Sequence, residues 1–232
     1  MSGLTLSPRL LAVSRMVRRS SRVADVGTDH AFVPAYLVKN GISDFVIASD
    51  IAKGPLEKAK ETVAAHGLGD KIETRLSNGL CAYSDGEVDD VIIAGMGGDT
   101  MLSIIDASPW VCRRGIRLIL QPMTMQARLR RSLLCRGFYI VDEDLCQEGH
   151  HIDQIIVLEY DGERRDIDEA VSEVGPLIFE KRAEYGGLFL AHLEQKIKGY
   201  DAVIMGGTIR GRDVTKEKSV RTALSNMRIK EV

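Results

Sequence analysis

The stretch RVADVGTDHAFVPAYLVKNG, residues 22–41, decides the fold. Residues 23–26 form a short, mostly apolar run that predicts a buried strand, and Gly27 ends it. A helical pattern follows at once, with Pro34 in the first turn, where proline is tolerated. Because later segments repeat this order of strand and helix, the sequence predicts βαβ units and a mostly parallel, doubly wound sheet.

The remaining elements follow from the same signals. Apolar runs predict further strands at residues 44–50, 71–79, 88–98 and 116–122, and helical patterns predict helices at 54–67, 99–106 and 124–137. A β-hairpin is predicted from residues 138–146 and 152–161, joined through QEGHH. The hairpin adds one antiparallel strand, so the predicted fold class is α/β.

The chain changes character after residue 162, which predicts a sheet domain over 1–162 and a helical domain over 163–232. Apolar residues there follow the heptad spacing of a coiled-coil seam, and the segment GGTIRGRD interrupts them. We therefore expect an antiparallel helical hairpin over residues 186–231. Its role is open between RNA contact and a stabilising attachment.

The composition describes an ordinary globular protein, with 44% hydrophobic and 28% charged residues. No apolar run approaches the ~20 residues of a membrane helix, and no signal-peptide core is present, so we expect a cytoplasmic protein that binds no membrane. The four cysteines form no C-x-x-C pair, which argues against a metal site or a disulfide framework. Nothing indicates an obligate protein partner.

Arginine is unevenly distributed along a chain whose net charge is −2. Residues 1–22 and 107–141 contain many arginines and no acid. Arginine is favoured where phosphates are bound through paired hydrogen bonds, so these segments predict one basic surface for a polyanion such as tRNA. The candidate RNA-binding residues are Arg9, Arg15, Arg18, Arg19, Arg128 and Arg131.

Polar or glycine residues lie at or near the carboxyl ends of four successive strands of the predicted sheet. They are Asp25, Asp50, Asn78 and Gly95. The carboxyl ends of parallel strands meet at one edge, where ligands bind at the switch in winding direction. The sequence therefore predicts a ligand cleft at this edge.

The turn after the first strand distinguishes between two adenosine cofactors. A dinucleotide needs G-x-G-x-x-G here, but Gly27 is followed by Thr28, Asp29 and His30, which counts strongly against NAD and FAD. S-adenosylmethionine has no phosphate and carries an ammonium and a sulfonium. Asp25 and Asp29 suit those cationic groups, although a purely structural Asp29 would cap the following helix.

Other positions extend this cofactor site. Asp50 is expected to accept hydrogen bonds from both ribose hydroxyls, Asn78 to contact the adenine edge, and Ile51 and Leu80 to form apolar walls. The cofactor-binding candidates are Asp25, Gly27, Thr28, Asp29, Asp50, Ile51, Asn78, Gly79, Leu80, Ala94, Gly95 and Met96.

The segment AGMGG, residues 94–98, is unusually rich in glycine. Three glycines within four residues favour close approach of a ligand over helix packing. The catalytic candidates beside it are Asp29, Met96 and His30, with Asp29 first because a carboxylate stabilises a developing cation. Among possible stacking residues, Phe32 and Tyr36 are expected to be buried in the core.

The motifs ADVGTDHAFVPAYLV, ASDIAKGPLEKAK, IAGMGGDTM and LILQPM, with LSPRL before them, resemble the bacterial tRNA (adenine(22)-N1)-methyltransferase family. The resemblance implies a Rossmann-like class I methyltransferase domain with a C-terminal helical, coiled-coil-like domain. It also implies S-adenosyl-L-methionine as donor and N1 of an adenine in the D-arm of tRNA as acceptor. Two alternatives stay open: a methyltransferase for another RNA or a small molecule, and a noncatalytic nucleotide- or RNA-binding protein.

Overall fold

One seven-stranded sheet organises the computed structural model, which describes residues 4–228. The strands are β1 Arg22–Val26, β2 Phe45–Asp50, β3 Ile72–Leu76, β4 Asp90–Gly97, β5 Arg117–Thr124, β6 Phe138–Glu148 and β7 His151–Tyr160. Their order is β3-β2-β1-β4-β5-β7-β6, and β7 is the one strand that runs opposite to the direction of the other six. The predicted α/β class, with a mostly parallel sheet and one antiparallel strand, is confirmed.

Helices cover both faces of the sheet. The helices α1 Pro8–Arg15, α2 Phe32–Lys39 and α3 Lys53–Ala65 share one apolar core with the sheet. A second core, on the other face, contains α4 Gly98–Asp106 and α5 Gln126–Cys135. Because the direction of winding reverses between β1 and β4, the two sets of connections leave a crevice at the carboxyl ends of these strands.

The glycines at the end of β4 and the start of α4 are required for different structural reasons. A Cβ at Gly98 would lie 3.0 Å from the backbone oxygens of Thr124 and Met125, and one at Gly97 would lie 3.2 Å from Oγ1 of Thr124. These two glycines allow α4 to pack against the end of β5. Packing thus accounts for Gly97 and Gly98, while Gly95 lines a cavity, where close approach of a ligand stays a prediction.

Five helices follow the sheet: α6 Glu169–Val174, α7 Pro176–Glu180, α8 Arg182–Tyr185, α9 Gly187–Ile209 and α10 Thr215–Met227. The last two are antiparallel, because Arg221 pairs with Asp201 and Arg228 with Glu194. The predicted helical hairpin is confirmed over the described residues, and positions 229–231 lie outside them.

The predicted break at GGTIRGRD, residues 206–213, is confirmed, although the helix ends a few residues into the segment. Helix α9 continues through Gly206 and Gly207 to Ile209, and α10 begins at Thr215. A Cβ at Gly207 would overlap Cγ1 of Val214, so this glycine lets the following turn fold back onto the helix. The chain reverses within residues 210–214.

The C-terminal helices are joined to the sheet by a third core and by a buried ion pair. Arg130 Nε donates to Glu143 Oε1 at 2.6 Å, and both side chains are fully buried. Arg130 also donates to Gln154 Oε1 at 2.6 Å and to the carbonyl of Ser172 at 2.9 Å, while the amide of Leu177 donates to Glu143 Oε2 at 2.9 Å. Charged groups are buried only when they are satisfied in this way.

The two predicted domains are in close contact through this network and through apolar residues of β6, α6, α9 and α10. The boundary after residue 162 stays a prediction. Within residues 4–228, no helix is long and apolar enough to cross a membrane, and no cluster of side chains has the composition of a metal site. The cysteines Cys81, Cys112, Cys135 and Cys146 are free thiols.

Candidate cofactor and acceptor site

Two cavities at the carboxyl edge of the sheet meet at Gly27. The first cavity, of about 290 Å³, lies beside β2 and β3, and the second, of about 390 Å³, lies between α1, the loop after β1 and the end of β4. The predicted residues of the first cavity are Gly27, Asp50, Ile51, Asn78, Gly79 and Met96. Those of the second are Asp25, Gly27, Thr28, Asp29, His30, Ala94 and Gly95, with Arg9 beside them.

The first cavity presents one carboxylate and one carboxamide. Asp50 ends β2, and its Oδ1 accepts a hydrogen bond from the amide of Ala52 at 2.7 Å, which fixes the carboxylate. Asn78 is exposed in a turn that the buried hydroxyl of Ser77 stabilises by donating to the carbonyl of Gly79 at 2.8 Å. Ile51 lines the cavity and is 67% exposed, so an apolar surface is available to a ligand.

The apolar wall predicted at Leu80 is wrong. Its side chain is 1% exposed and belongs to the core with α4 and α5. Ile104 of α4 provides this wall instead, and a Cβ at Gly79 would lie 2.9 Å from its Cγ1. Sequence reasoning missed Ile104 because the periodicity of α4 indicates a buried face without showing which residue reaches the cavity.

Met96 lies at the junction of the two cavities. A Cβ at Gly27 would overlap Cε of Met96, and the φ of Gly27 is +78°. Glycine is therefore required at this turn both by the backbone and by the side chain above it. A ligand that extends from one cavity to the other must pass Met96.

Asp25 is a buried acid in the second cavity. Burial raises its pKa to about 6, the nearby Asp50 carboxylate adds to the rise, and the Thr28 hydroxyl acts in the opposite direction. A buried carboxylate without a cation destabilises the folded state when it ionises. The site is therefore suited to a ligand that brings positive charge.

Replacing Asp25 with asparagine is expected to stabilise the ligand-free protein at neutral and higher pH. The folded-state pKa is about 6 against an ordinary value near 4, so wild-type stability falls as the pH rises through this window, by up to about 3 kcal/mol. Urea unfolding at about pH 8 and about pH 4 measures the difference between the two proteins. The free energy of unfolding of Asp25→Asn should exceed that of the wild type by a large amount at about pH 8 and by a small amount at about pH 4.

The Asp29→Asn variant is the control for this comparison. The Asp29 side chain is 76% exposed, and exposed substitutions change stability by only about 0.5 kcal/mol. An Asp25→Asn effect that is equal at both pH values would contradict the ionisation argument.

The loop after β1 carries Asp29 and a stacked ring pair. His30 Nε2 lies 3.6 Å from Asp29 Oδ2, and the His30 and Phe32 rings stack with centroids 5.0 Å apart and planes 7° apart. The prediction that Phe32 is buried is wrong, because it is 42% exposed at the second cavity. Tyr36 is half-buried on α2.

Asp29 does not cap α2. The N-cap position is Ala31, in a left-handed conformation with φ 53°, and no side chain makes a capping hydrogen bond there. The structural alternative for Asp29 is therefore absent, and its exposed carboxylate lines the second cavity.

The candidate RNA-binding arginines are spread over both faces of the sheet. Arg9 and Arg15 lie on α1, and Arg128 and Arg131 lie on α5, which packs on the opposite face, so one basic surface made by all of them stays a prediction. Arg18 binds the buried Asp90 at 2.5 Å and donates to the carbonyls of Asp89 and Gly115 at 2.8 Å, at the amino ends of β4 and β5. Arg18 is therefore a structural residue at the sheet edge opposite the cavities, and Arg15 and Arg19 are exposed near it.

The α5 arginines form ion pairs with acids of other helices. Arg128 lies 3.3 Å from Asp99, which is in the first turn of α4, and Arg131 lies 2.9 Å from Glu169. The Arg128 pair is 57% exposed on both sides, so the ion pair is weak and solvent-accessible.

Comparisons with known proteins agree with this geometry. A family model described as a methyltransferase domain matches residues 6–156. The tRNA (adenine(22)-N(1))-methyltransferase of Bacillus subtilis (strain 168) is 32% identical over 203 residues, which cover 85% of this chain and 84% of the relative.

Solved structures match nearly the whole chain. A Streptococcus pneumoniae protein in complex with S-adenosyl-L-methionine is 28% identical, with a TM-score of 0.82 and coverage of 95% of this chain and 99% of that chain. TrmK of M. capricolum, in complex with the cofactor product S-adenosyl-homocysteine, is 28% identical, with a TM-score of 0.76 and coverage of 96% of each chain.

Proposed function

Because the chain belongs to the tRNA (adenine(22)-N1)-methyltransferase family, we propose that it transfers a methyl group to N1 of adenine 22, in the D-arm of tRNA. Its methyl donor is S-adenosyl-L-methionine. The observation that carries the proposal is the pair of joined cavities, with acids on successive strands, at the edge where such folds bind ligands. We propose the cytoplasm, which contains tRNA, as its location.

The residues of both cavities fit this cofactor. In the first cavity, we propose that Asp50 holds the ribose and that Asn78 meets the adenine edge between Ile51 and Ile104. In the second, the buried Asp25 faces the ammonium, whose positive charge offsets the unfavourable burial of a carboxylate. The fit includes the missing glycines after Gly27, since no pyrophosphate has to be accommodated.

The chemistry requires alignment more than proton transfer. When bound, S-adenosyl-L-methionine supplies a methyl group activated by its sulfonium. Neutral adenine has a lone pair on N1, so no side chain has to remove a proton before the N–C bond forms. Holding two reactants in line contributes ~7–11 kcal/mol to lowering a barrier. Met96, at the junction of the cavities, is placed to limit the positions that the acceptor can take.

The loop after β1 supplies the remaining acceptor contacts. The N–C bond makes the adenine ring cationic, and we propose that the exposed Asp29 carboxylate stabilises that charge as it develops. A base must leave its stack to reach the cavity, at a cost of a few kcal/mol. The parallel rings of His30 and Phe32 offer an exposed stacking surface for it.

Phosphate contacts are proposed for the α5 side of the cleft. Arg128 and Arg131 lie on a helix that starts at the carboxyl edge of the sheet, and their acidic partners are partly exposed. Phosphate oxygens compete well for such guanidinium groups because they accept paired hydrogen bonds. Arg15 and Arg19, at the opposite edge, are not part of this proposed surface.

Transcribed tRNA tests the substrate directly. We expect methyl incorporation from labelled S-adenosyl-L-methionine into a tRNA with adenine at position 22, and mass spectrometry of its nucleosides should find 1-methyladenosine. A matched transcript with guanine at position 22 should incorporate at most a few per cent as much label. Equal labelling of both transcripts, or methylation on another atom, would contradict the proposal.

A further inference from the structure

Two exposed methionines at the end of β5 lie beside the candidate site but outside both of its cavities. Met123 and Met125 are each about half exposed, and neither belongs to the three apolar cores described for residues 4–228. A single exposed apolar side chain is ordinary and needs no explanation. The backbone of Met125, however, does need one.

Met125 has a conformation that its residue type disfavours. Its φ is +61°, in the left-handed region, and it is the N-cap of α5, where its side chain makes no capping hydrogen bond. Glycine and asparagine adopt this conformation at lower cost, and asparagine is also among the best N-cap residues. Methionine is therefore unfavourable here on two counts, and residues that break local rules in this way are concentrated at functional sites.

Neighbouring residues hold the turn around Met125 in place. Gln126 Nε2 donates to the carbonyl of Pro122 at 3.2 Å, and Lys196 Nζ of α9 donates to Gln126 Oε1 at 3.2 Å. A Cβ at Gly98 would lie 3.0 Å from the carbonyl oxygen of Met125 and 3.2 Å from its Cβ, so the start of α4 packs directly against this turn. The exposed Met125 side chain thus extends from a rigid base.

Strand pairing places this turn next to the acceptor site. Met96, at the junction of the two cavities, pairs with Pro122 of β5. Neighbouring strands are about 5 Å apart, so Met123 and Met125, which follow Pro122, lie on the rim of the site. Arg128, for which a phosphate contact is proposed above, is three residues beyond Met125, and residues at this spacing are neighbours on a helix surface.

A base that leaves its stack exposes the faces of the two bases beside it. The target adenine has to make this movement to reach the cavities. Proteins that open a stack often insert an apolar side chain, methionine among them, against the bases that remain. Such a contact replaces part of the lost stacking and opposes the return of the base.

We propose that Met125, with Met123 beside it, packs against the tRNA bases that flank the target adenine and occupies the gap that the adenine leaves in its stack. The proposal rests on the proposed function and adds a contact to the acceptor outside the cavities. It also accounts for the unfavourable backbone of Met125, because asparagine or glycine would relieve the backbone but would remove the apolar contact.

The Met125→Asn variant provides the test, because the fold and the reaction should respond in opposite directions. Its unfolding temperature should equal the wild-type value or exceed it by up to about 4 °C. Its kcat/KM for tRNA should fall by about 10-fold or more, the effect expected for the loss of one contact to a base. Its affinity for S-adenosyl-L-methionine, measured by calorimetry, should be unchanged. Met125→Leu keeps an apolar side chain and should keep most of the activity.

A transcript with 2-aminopurine in place of adenine 22 reports the movement of the base itself, because the fluorescence of this analogue rises when it leaves a stack. Saturating wild-type protein should raise the fluorescence severalfold. Saturating Met125→Asn should give a clearly smaller rise, which loss of a purely structural side chain would not cause.

Ser20→Gly is the matched control. Ser20 is exposed, is not a glycine and has a positive φ, as Met125 does, but it precedes β1 at the opposite edge of the sheet. Glycine relieves the same kind of backbone strain there. This variant should therefore also keep or raise the unfolding temperature, but it should methylate tRNA at the wild-type rate and give the wild-type rise in fluorescence.

Wild-type kinetics and fluorescence in Met125→Asn would overturn the proposal, while methylation of tRNA by the wild type would still support the proposed function. Equal losses in Met125→Leu and Met125→Asn would overturn it too, because an apolar contact would then not be the cause. A clearly lower unfolding temperature of Met125→Asn would show that the side chain serves the fold instead. Failure of the wild type to methylate tRNA would contradict the proposed function and this proposal together.

Discussion

Replacing Asp29 with asparagine is expected to slow methyl transfer to tRNA by about 100-fold or more. Asparagine keeps the size of the side chain and removes its charge, so the cationic adenine ring loses one electrostatic partner in the transition state. The side chain is 76% exposed and caps no helix, which means that the fold should not depend on it. The measurement is a single-turnover rate at saturating S-adenosyl-L-methionine and saturating tRNA.

The control for this experiment is Asp44→Asn. Asp44 is also exposed, but it precedes β2 at the opposite edge of the sheet. This variant should methylate tRNA at the wild-type rate, and both variants should unfold at the wild-type temperature. A wild-type rate in Asp29→Asn under saturating conditions would leave Asp29 without a role in the chemical step.

The second large effect is expected at Asp50. The Asp50→Ala variant should bind S-adenosyl-L-methionine at least about 100-fold more weakly, since each hydrogen bond to a charged group contributes about 1.5–3 kcal/mol and a ribose offers two hydroxyls. Calorimetry measures this directly. Alanine also removes the acceptor for the amide of Ala52 at the start of α3, so some loss of stability should accompany it.

Asparagine at the same position separates these two consequences. Asp50→Asn keeps an oxygen for the Ala52 amide, so its stability should remain near that of the wild type, while the loss of charge should weaken cofactor binding by about 10-fold. Unchanged affinity in a folded Asp50→Ala protein would remove Asp50 from the ribose site.

The sheet and the acids at its edge were predictable because they depend on short-range patterns. Asp25 is the penultimate residue of β1 and Asp50 the last residue of β2, and parallel strands with helical crossovers bring such ends to one edge. The spacing of the elements was therefore enough to place both acids near each other. The hairpin that ends the sheet followed from two apolar runs separated by QEGHH.

Residues whose role depends on which way a side chain points were not predictable in this way. Leu80 was expected at the cavity and Phe32 in the core, but Leu80 is buried in the core and Phe32 is exposed, stacked on His30. Hydrophobicity is the same in both cases, and only the packing of α2 and α4 decides between them. Ile104 reaches the site from a helix that looked purely structural.

Charge was the least reliable guide to location. A segment without acids can still have its arginines paired with acids that are distant in the sequence. Arg18, for example, pairs with Asp90, 72 positions away. Arg9 lies in the same run but near the start of α1, beside the cavity, whereas Arg18 lies in the turn after this helix. Arginines of one acid-free run thus lie at two opposite edges of the sheet.

The buried Arg130–Glu143 pair has a consequence for cooperativity. Both charges belong to the sheet domain, but their remaining hydrogen bonds come from Ser172 and Leu177 in the helices that follow. A chain that lost those helices would keep the charges and lose their partners, and incomplete satisfaction of a buried charge costs several kcal/mol. The two parts should therefore unfold in a single transition, and proteolysis in the linker 161–168 should leave no stable catalytic fragment.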